Sequence, residues 1–445
     1  MKSLSRRSFL RATGGSAIAF PFIGWKSTAS GEAPSKDIRV AAFGANGRAW
    51  GDISGTMKHK YTTLVAAAEV DEKRTGNVKK DFPGAKVYSD YRELLDKHGK
   101  EIDVAVVGTP DHMHAPIAMS AMQLGKHVYC EKPMTRTLHE CRTLTEYAAA
   151  NKLITQMGNQ LASGSGNKTT ALAIQSGVIG KVVAVHSMCP KSWGSSTPLG
   201  APSDPPAGLN WEHWIGVAKM RSYVKGEFHP GQWRKRIGYG TGTLGDMACH
   251  IVHPWYKGLG GPAVLEVKST GAIPVDGDSW PLNCKVEHVI RGNDLTDGDF
   301  PYTWYDGSEK PSEKLAELVG GATNIPKMGT LIIGTKGVIA VAHGGSSMPT
   351  VYRNGQKVDE SLEKPVSKDH HGEWLDAVRG SGVTPVCDFS YAGPMTELVL
   401  MGTVAIRVPG KKLKWNSEKL RFTNSKEASA MVREKYREGW EVKGL

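Results

Sequence analysis

Long apolar runs are missing. After residue 30 the chain has no stretch of about 18 uncharged apolar residues, so nothing there reads as a membrane-spanning helix. Cysteine is sparse, six in 445 residues. The six stand at 130, 141, 189, 249, 284 and 387 and form no CxxC pair, which excludes a disulfide scaffold. No HExxH occurs, no third ligand stands near the paired histidines described below, and so no metal is expected. Glycine is abundant, 52 residues, but lacks a Gly-X-Y period, which excludes collagen. No internal repeat and no nucleic-acid motif is visible. Acids are outnumbered by bases, giving a formal net charge of +12. That value suggests a polyanionic partner until the charge is located.

Much of it sits at one end. Residues 1–30 contain Lys2, Arg6, Arg7, Arg11 and Lys26 and no acid. Subtracting those five from +12 leaves +7 for the rest, which needs no nucleic acid to balance it. The segment runs Ser5-Arg6-Arg7-Ser8-Phe9-Leu10, then a weakly apolar stretch from Ala12 to Trp25, then Ser27-Thr28-Ala29. A basic start, an apolar middle and a small-residue end make a secretory signal, and the paired arginines make it the twin-arginine kind. Residues 1–30 are therefore expected to be a leader read by the twin-arginine translocase. The protein would be exported already folded to the periplasm or another extracytoplasmic space.

Asp37 to Phe43 (DIRVAAF) is a short apolar run of the kind buried on both faces of a parallel sheet. It runs into Gly44-Ala45-Asn46-Gly47-Arg48-Ala49. A strand, a glycine-rich turn and a helix place backbone N–H groups and a helix N-terminus where a pyrophosphate binds. Gly44 matches the first glycine of G-x-G-x-x-G. Asn46 and Ala49 stand at the other two positions; Asn tolerates left-handed backbone and Ala permits close helix packing. A second apolar run, Thr63–Ala68, ends in Glu69-Val70-Asp71, an acid pair at the distance where a carboxylate meets the adenosine ribose. That acid favours NAD; Arg74 leaves NADP open. A helix over Tyr91–His98, a third run Ile102–Val107, a helix over Pro116–Leu124 and a strand over His127–Cys130 continue the alternation. The order predicts a doubly wound parallel sheet with its ligand at the strand C-termini. His112 and His114 read as cofactor-lining or capping residues before they read as metal ligands. Lys132, between Glu131 and Pro133 directly after a strand, can hydrogen-bond a substrate hydroxyl.

GANGRA (44–49), EVD (69–71), TPDHMHAP (109–116), GKHVYCEKP (125–133), QMGNQ (156–160) and TGTLGDMACHIVHP (241–254) together resemble the Gfo/Idh/MocA family of NAD(P)-dependent sugar oxidoreductases, among them glucose–fructose oxidoreductase-like members. The resemblance covers almost the whole chain from residue 37. It implies that Gly44, Asn46, Gly47, Arg48, Glu69, Asp71, Thr109, Pro110, His112, His114, Glu131, Lys132 and Asn159 bind the dinucleotide. It places the family's EKP lysine on Lys132 and its Asp–His pair on Asp246 and His250. Asn46, Ala49 and His253 depart from the family's pattern.

In the second half, Asp246 and His250 stand four apart and share one helix face. Loss of a hydride from a sugar carbon requires loss of the hydroxyl proton. His250 can accept it with Asp246 beside it, while Lys132 polarises the same oxygen. The stretch 186–236 is aromatic and basic, with Lys191, Trp193, Trp211, Trp214, His229, Trp233 and Arg234. Trp193 or Trp233 could stack on a pyranose and Arg234 reach its hydroxyls, although tryptophan also fills cores. Residues 197–208 read as a loop over the site. Strands are expected at Ala263–Thr270, Cys284–Ile290, Gly329–Ile333 and Gly337–Val341, and helices at His370–Val378 and Pro394–Ile406. Lys411–Lys414 reads as a solvated turn before a strand.

The expected fold is therefore an α/β chain. It pairs a Rossmann domain over 37–157 with an α+β domain over 158–445 built on a large open, mostly antiparallel sheet. The expected activity is exported, NAD-dependent oxidation or reduction of a sugar with a tightly held cofactor. The alternative is a glycosidase that oxidises its substrate transiently and re-reduces it; such relatives typically lack the EKP lysine. The resemblance also implies a homo-oligomer formed through the open sheet.

Overall fold

The computed structural model describes residues 37–445 apart from 273 and 275. The expected leader lies outside the described residues. Six parallel strands form the first sheet: β1 (Ile38–Phe43), β2 (Thr62–Ala68), β3 (Lys86–Tyr88), β4 (Val104–Val107), β5 (His127–Glu131) and β6 (Thr155–Gly158), in the order β3-β2-β1-β4-β5-β6. The order reverses between β1 and β4, which opens a crevice at their C-terminal ends. Every residue of β4 is buried, as an all-apolar VAVV strand between two helical layers must be. The crossovers are α1 (Arg48–Met57), α2 (Gly76–Asp81), α3 (Tyr91–His98), α4 (His114–Gln123) and α5 (Leu138–Ala150). α4 begins at His114, two residues before the expected start. The chain then runs through α6 (Ser165–Gln175).

The second sheet has ten strands: β7 (Val182–Cys189), β8 (Val264–Ser269), β9 (Lys285–Ile290), β10 (Phe300–Asp306), β11 (Gly329–Gly334), β12 (Gly337–Ala342), β13 (Thr350–Arg353), β14 (Gln356–Val358), β15 (Leu413–Asn416) and β16 (Arg421–Phe422). Their order is β14-β13-β12-β11-β7-β10-β9-β8-β15-β16. Pairing is antiparallel except between β7 and β10. Helices α7 (Gly242–Gly258) and α9 (Phe389–Arg407) pack against this sheet. The solvated turn expected over Lys411–Lys414 is already strand by Leu413, which is fully buried and pairs with Val267. α9 begins five residues before Pro394, capped by Asp388 on Ser390 N–H; the proline sits inside it and forfeits one i→i−4 bond. Among the described residues no helix is long and apolar enough to cross a membrane.

Residues 37–445 hold together as one compact unit, because the chain returns to the first sheet. Helix α8 (His370–Val378) lays Trp374 and Leu375 against Val40, Ala42, Val104, Val106 and Tyr129, and Ile53 of α1 shares that layer. Trp374 is fully buried. Its replacement by alanine should cost about 3–5 kcal/mol of stability. The check is urea unfolding, with a lower midpoint at unchanged slope expected.

Candidate functional site

A cleft of about 280 Å3 opens at the C-terminal ends of β1, β2, β4 and β5. Its floor begins at Gly44, whose φ of 90° is left-handed backbone that glycine adopts freely. A Cβ there would stand 2.9 Å from Ala49 Cβ and 3.2 Å from Gly108 O, so the chain passes close on both sides. Gly47 caps α1 and no side chain bonds the N-terminal N–H groups of that helix in the manner of a cap. Asn46 Oδ1 instead accepts Gly47 N–H at 2.6 Å, shaping the turn from within. The Thr109 hydroxyl lines the cleft, buried and without a partner among the described residues. An open helix N-terminus, a glycine that could carry no Cβ and an orphaned hydroxyl together fit a dinucleotide.

At the end of β2, Glu69 accepts N–H bonds from Ala45 (3.0 Å) and Asp71 (3.1 Å), which ties the acid to the glycine-rich turn. Asp71, expected on the ribose, is spent elsewhere. Its carboxylate accepts Lys73 N–H and faces His229 Nε2 at 2.9 Å, outside the cleft that Glu69 lines. Arg48 and Glu131 both line the cleft. Arg48 reaches inward to the fully buried Asp52 at 2.8 Å. Burial, with Asp52 as a second cause, pushes the Glu131 carboxyl up to about 8. Pro110 and His114 line the cleft as well; His114 bonds the carbonyls of Pro133 and Thr109. His112 does not line it. That ring is buried against Trp214 and Tyr239 and bonds Trp214 O.

The roof comes from the second half of the chain. His213, Trp214, His229, Pro230, Trp233 and Arg234 line the cleft from a segment built on the aromatic cluster of Trp214, Tyr223, Phe228 and Tyr239. The segment is stitched to the β2 end by Asn210 N–H on Val70 O, Glu72 N–H on Gly208 O and the Asp71–His229 contact. Trp440 closes the far side.

Lys132 links this cleft to the second half of the chain. It stands directly after β5 and reaches α7, where Nζ donates to Asp246 Oδ1 and to Asp246 O, both at 2.8 Å. Asp246 also accepts Trp193 Nε1 (2.9 Å) and Arg234 Nε (3.2 Å). Despite its burial, the two cations hold the Asp246 carboxyl well below the usual carboxylate range. Asp246 raises Lys132 in turn and outweighs the burial that would lower it, so Lys132 remains an ammonium. Asp246, expected to assist His250, makes no hydrogen bond to it.

Asn159 assists His250 instead. The Asn159 amide is not at the cofactor cleft; it is fully buried, donates Nδ2–H to Cys249 O at 2.8 Å and presents Oδ1 to His250 Nδ1 at 2.6 Å. A carbonyl oxygen only accepts, so His250 carries its proton on Nδ1 and leaves Nε2 as a free acceptor. Burial, then the Lys132 charge, hold this imidazole well below its ordinary value, so it is a neutral base. Sequence reasoning missed His343, whose ring lies 5.6 Å from that of His250. It follows β12 in a loop whose approach to α7 no local pattern announces.

Among the expected sugar contacts, Trp193 is half-buried with its indole N–H on Asp246. Trp233 is buried, donates to Pro230 O and carries the Arg234 guanidinium 4.2 Å above its ring. Trp193 thus stands beside Asp246 with the Arg234 guanidinium 5.5 Å over its ring, and Trp233 is a wall of the cofactor cleft.

Asn159→Asp offers a pH test of this arrangement. A carboxylate beside Nδ1 raises the His250 pKa. The base form is then lost as pH falls through the raised value. Wild-type kcat/KM for oxidation should stay level down through pH 6.5, the ordinary imidazole value, whereas the variant should show an acid limb near neutrality.

Curated relatives are matched over part of their length. A levoglucosan dehydrogenase from Pseudarthrobacter phenanthrenivorans is 28% identical over 169 residues, 37% of this chain and 34% of that protein. A glycosyl hydrolase family 109 protein from a Shewanella species is 25% identical over 209 residues, 41% of this chain and 45% of that one. The matches thus span less than half of these relatives' own length. The fold extends further. An inositol dehydrogenase homolog from Azotobacter vinelandii, solved with NADH and myo-inositol, has a TM-score of 0.59 at 16% identity, covering 85% of this chain and 98% of that one. An aldose–aldose oxidoreductase from Caulobacter crescentus, solved with glycerol, gives 0.58 at 15% identity over 85% and 100%. Residues 38–159, which supply the floor of this cleft, match the sequence model of the Gfo/Idh/MocA oxidoreductase family, NAD-binding Rossmann fold.

Proposed function

We propose that the protein is an NAD-dependent oxidoreductase of sugar hydroxyls, exported by the twin-arginine route and working as a homo-oligomer. The observation that carries this reading is the junction at Lys132. One ammonium lines the cofactor cleft and is held by Asp246 beside a neutral His250 whose Nε2 is free. NAD, when bound, supplies the hydride acceptor. Lys132 donates a hydrogen bond to the reacting hydroxyl oxygen and stabilises the charge that develops there. His250 Nε2 takes the hydroxyl proton, and Asn159 Oδ1 steadies the imidazolium that results. Asp246 keeps Lys132 charged and aimed. Trp193 offers its face to the sugar ring. In the reverse direction His250 returns the proton.

The roof supports a retained cofactor. Release would require the stitches at Val70, Asp71 and Glu72 to part, and an exported protein has no cytosolic pool from which to replace a lost dinucleotide. The cofactor would then be reduced by one sugar and reoxidised by another.

A second reading, the glycosidase that oxidises transiently, eliminates and re-reduces, draws on the similarity to the family 109 glycosyl hydrolase. One experiment separates them. Cofactor-loaded protein is offered sugars and their glycosides while reduced nicotinamide and free aglycone are both followed. Reduced nicotinamide appearing on addition of sugar supports the oxidoreductase. Aglycone release without net reduction selects the glycosidase, and neither signal with any substrate removes both.

A further inference from the structure

The side chains around Lys132 carry more positive charge than their acids balance. Lys132 and Arg234 share one ionised carboxylate, Asp246, which is already engaged by three side-chain donors. Lys191, just beyond β7, is exposed, and its ammonium meets only the Met247 thioether, at 3.2 Å, with no carboxylate partner among the described residues. The other acids nearby offset it only in part. Asp111 is buried, bonded by the Thr241 hydroxyl and driven by burial toward its neutral form. Asp306 is buried too, held by Trp304 Nε1 and Cys284 N–H, and burial raises it to about 7. Burial pushes Glu131 toward its neutral form as well. The histidines add no negative charge. Burial is the first cause that keeps His250 and His343 neutral, and the Lys132 and Lys191 charges reach both rings.

We propose that the substrate is an anionic sugar of the hexuronate class, whose carboxylate pairs with Lys191 while a ring hydroxyl meets Lys132 and His250. A lone exposed ammonium among surplus positive charge gains more from an anion than from a neutral hydroxymethyl group. Lys191 stands two residues before Trp193, so a ring stacked on that indole has its substituents within the reach of a lysine. One exposed ammonium matches a monoanion; a phosphate dianion would call for a fork of arginines.

This inference rests on the oxidoreductase reading for the identity of the site at Lys132 and His250, and its test is read by binding, separately from turnover. NADH-loaded protein, in which oxidation cannot proceed, is titrated calorimetrically with D-glucuronate, D-galacturonate, D-glucose, D-galactose and glucose 6-phosphate. The uronates should bind about 10-fold or more tightly than the matching hexoses, and the gap should narrow as salt is raised. Lys191→Met should lower that ratio by about 10-fold, and Lys191→Arg should keep most of it. Equal or tighter binding of the neutral hexoses, a ratio indifferent to Lys191→Met, or no binding of any of the five overturns the proposal. Tighter binding of the sugar phosphate overturns the carboxylate assignment. In parallel, hydride transfer is followed with NAD-loaded protein. A charge preference without any transfer would sink the oxidoreductase reading and leave this one. Transfer from hexoses and hexuronates alike, with no preference, would do the reverse.

Discussion

Replacing Lys132 by methionine is expected to lower kcat by about 100-fold or more while the protein still binds its dinucleotide. The side chain is nearly isosteric over its apolar stem, so the loss isolates the ammonium. Two effects contribute. The hydrogen bond that stabilises the developing charge on the sugar oxygen disappears, and Asp246 is left buried with Arg234 as its only cationic partner. An uncompensated buried carboxylate costs stability as well, so the thermal midpoint must be measured alongside the rate. Lys132→Arg is the companion variant. It keeps the charge and the pairing with Asp246 but displaces the donor, and it should recover stability with only part of the rate. A wild-type rate in Lys132→Met would remove the lysine from the chemistry.

The second large effect is on binding. Gly44→Val is expected to weaken the dinucleotide by about 100-fold or more. The position has φ of 90°, where a β-branched residue is strained, and its Cβ would press on Ala49 and on the Gly108 carbonyl. Relief requires α1 to move away from β1, which withdraws the open helix N-terminus from the pyrophosphate. Gly44→Ala carries the Cβ contact with less strain and should fall between valine and wild type. Tryptophan fluorescence on titration with NADH reads the affinity, and circular dichroism confirms that the sheet is retained. Unaltered affinity in the valine variant would show that the nucleotide does not sit on this turn.

The first sheet was legible because its strands lie between two helical layers. β1 and β4 are nearly continuous apolar runs, and each ends in a turn residue with an identifiable purpose, Gly44 or Gly108. The helices at Tyr91–His98 and His370–Val378 were legible to the residue, since each opens on an aspartate cap, Asp90 and Asp369. The start of α9 was not. Pro394 reads as a first-turn proline, yet the helix absorbs it in the interior, where the sequence around it, buried on nearly all sides, holds the segment in place. The start of β15 was hidden because Lys411, Lys412 and Lys414 are exposed and only Leu413 among its four residues is fully buried.

The site was legible in its components and not in its partnerships. Lys132, Asp246 and His250 were identified from local context. Helical spacing suggested that Asp246 serves His250, and the fold gives Asp246 to Lys132, Trp193 and Arg234 instead. Asn159 is separated from His250 by 91 residues and meets it only where β6 ends beside α7. The Asp71–His229 contact likewise joins elements 158 residues apart. Periodicity reports which face of an element is buried; it does not report which distant face is set against it.

The account stands most directly on the transfer of a hydride. NAD-loaded protein is mixed, in separate samples, with a hexuronate or a hexose deuterated at every ring carbon, then denatured, and the released dinucleotide is weighed by mass spectrometry. One deuterium per reduced nicotinamide is the predicted result. A dinucleotide that stays oxidised and unlabelled with both sugars, or that is reduced without acquiring the label, would contradict the account.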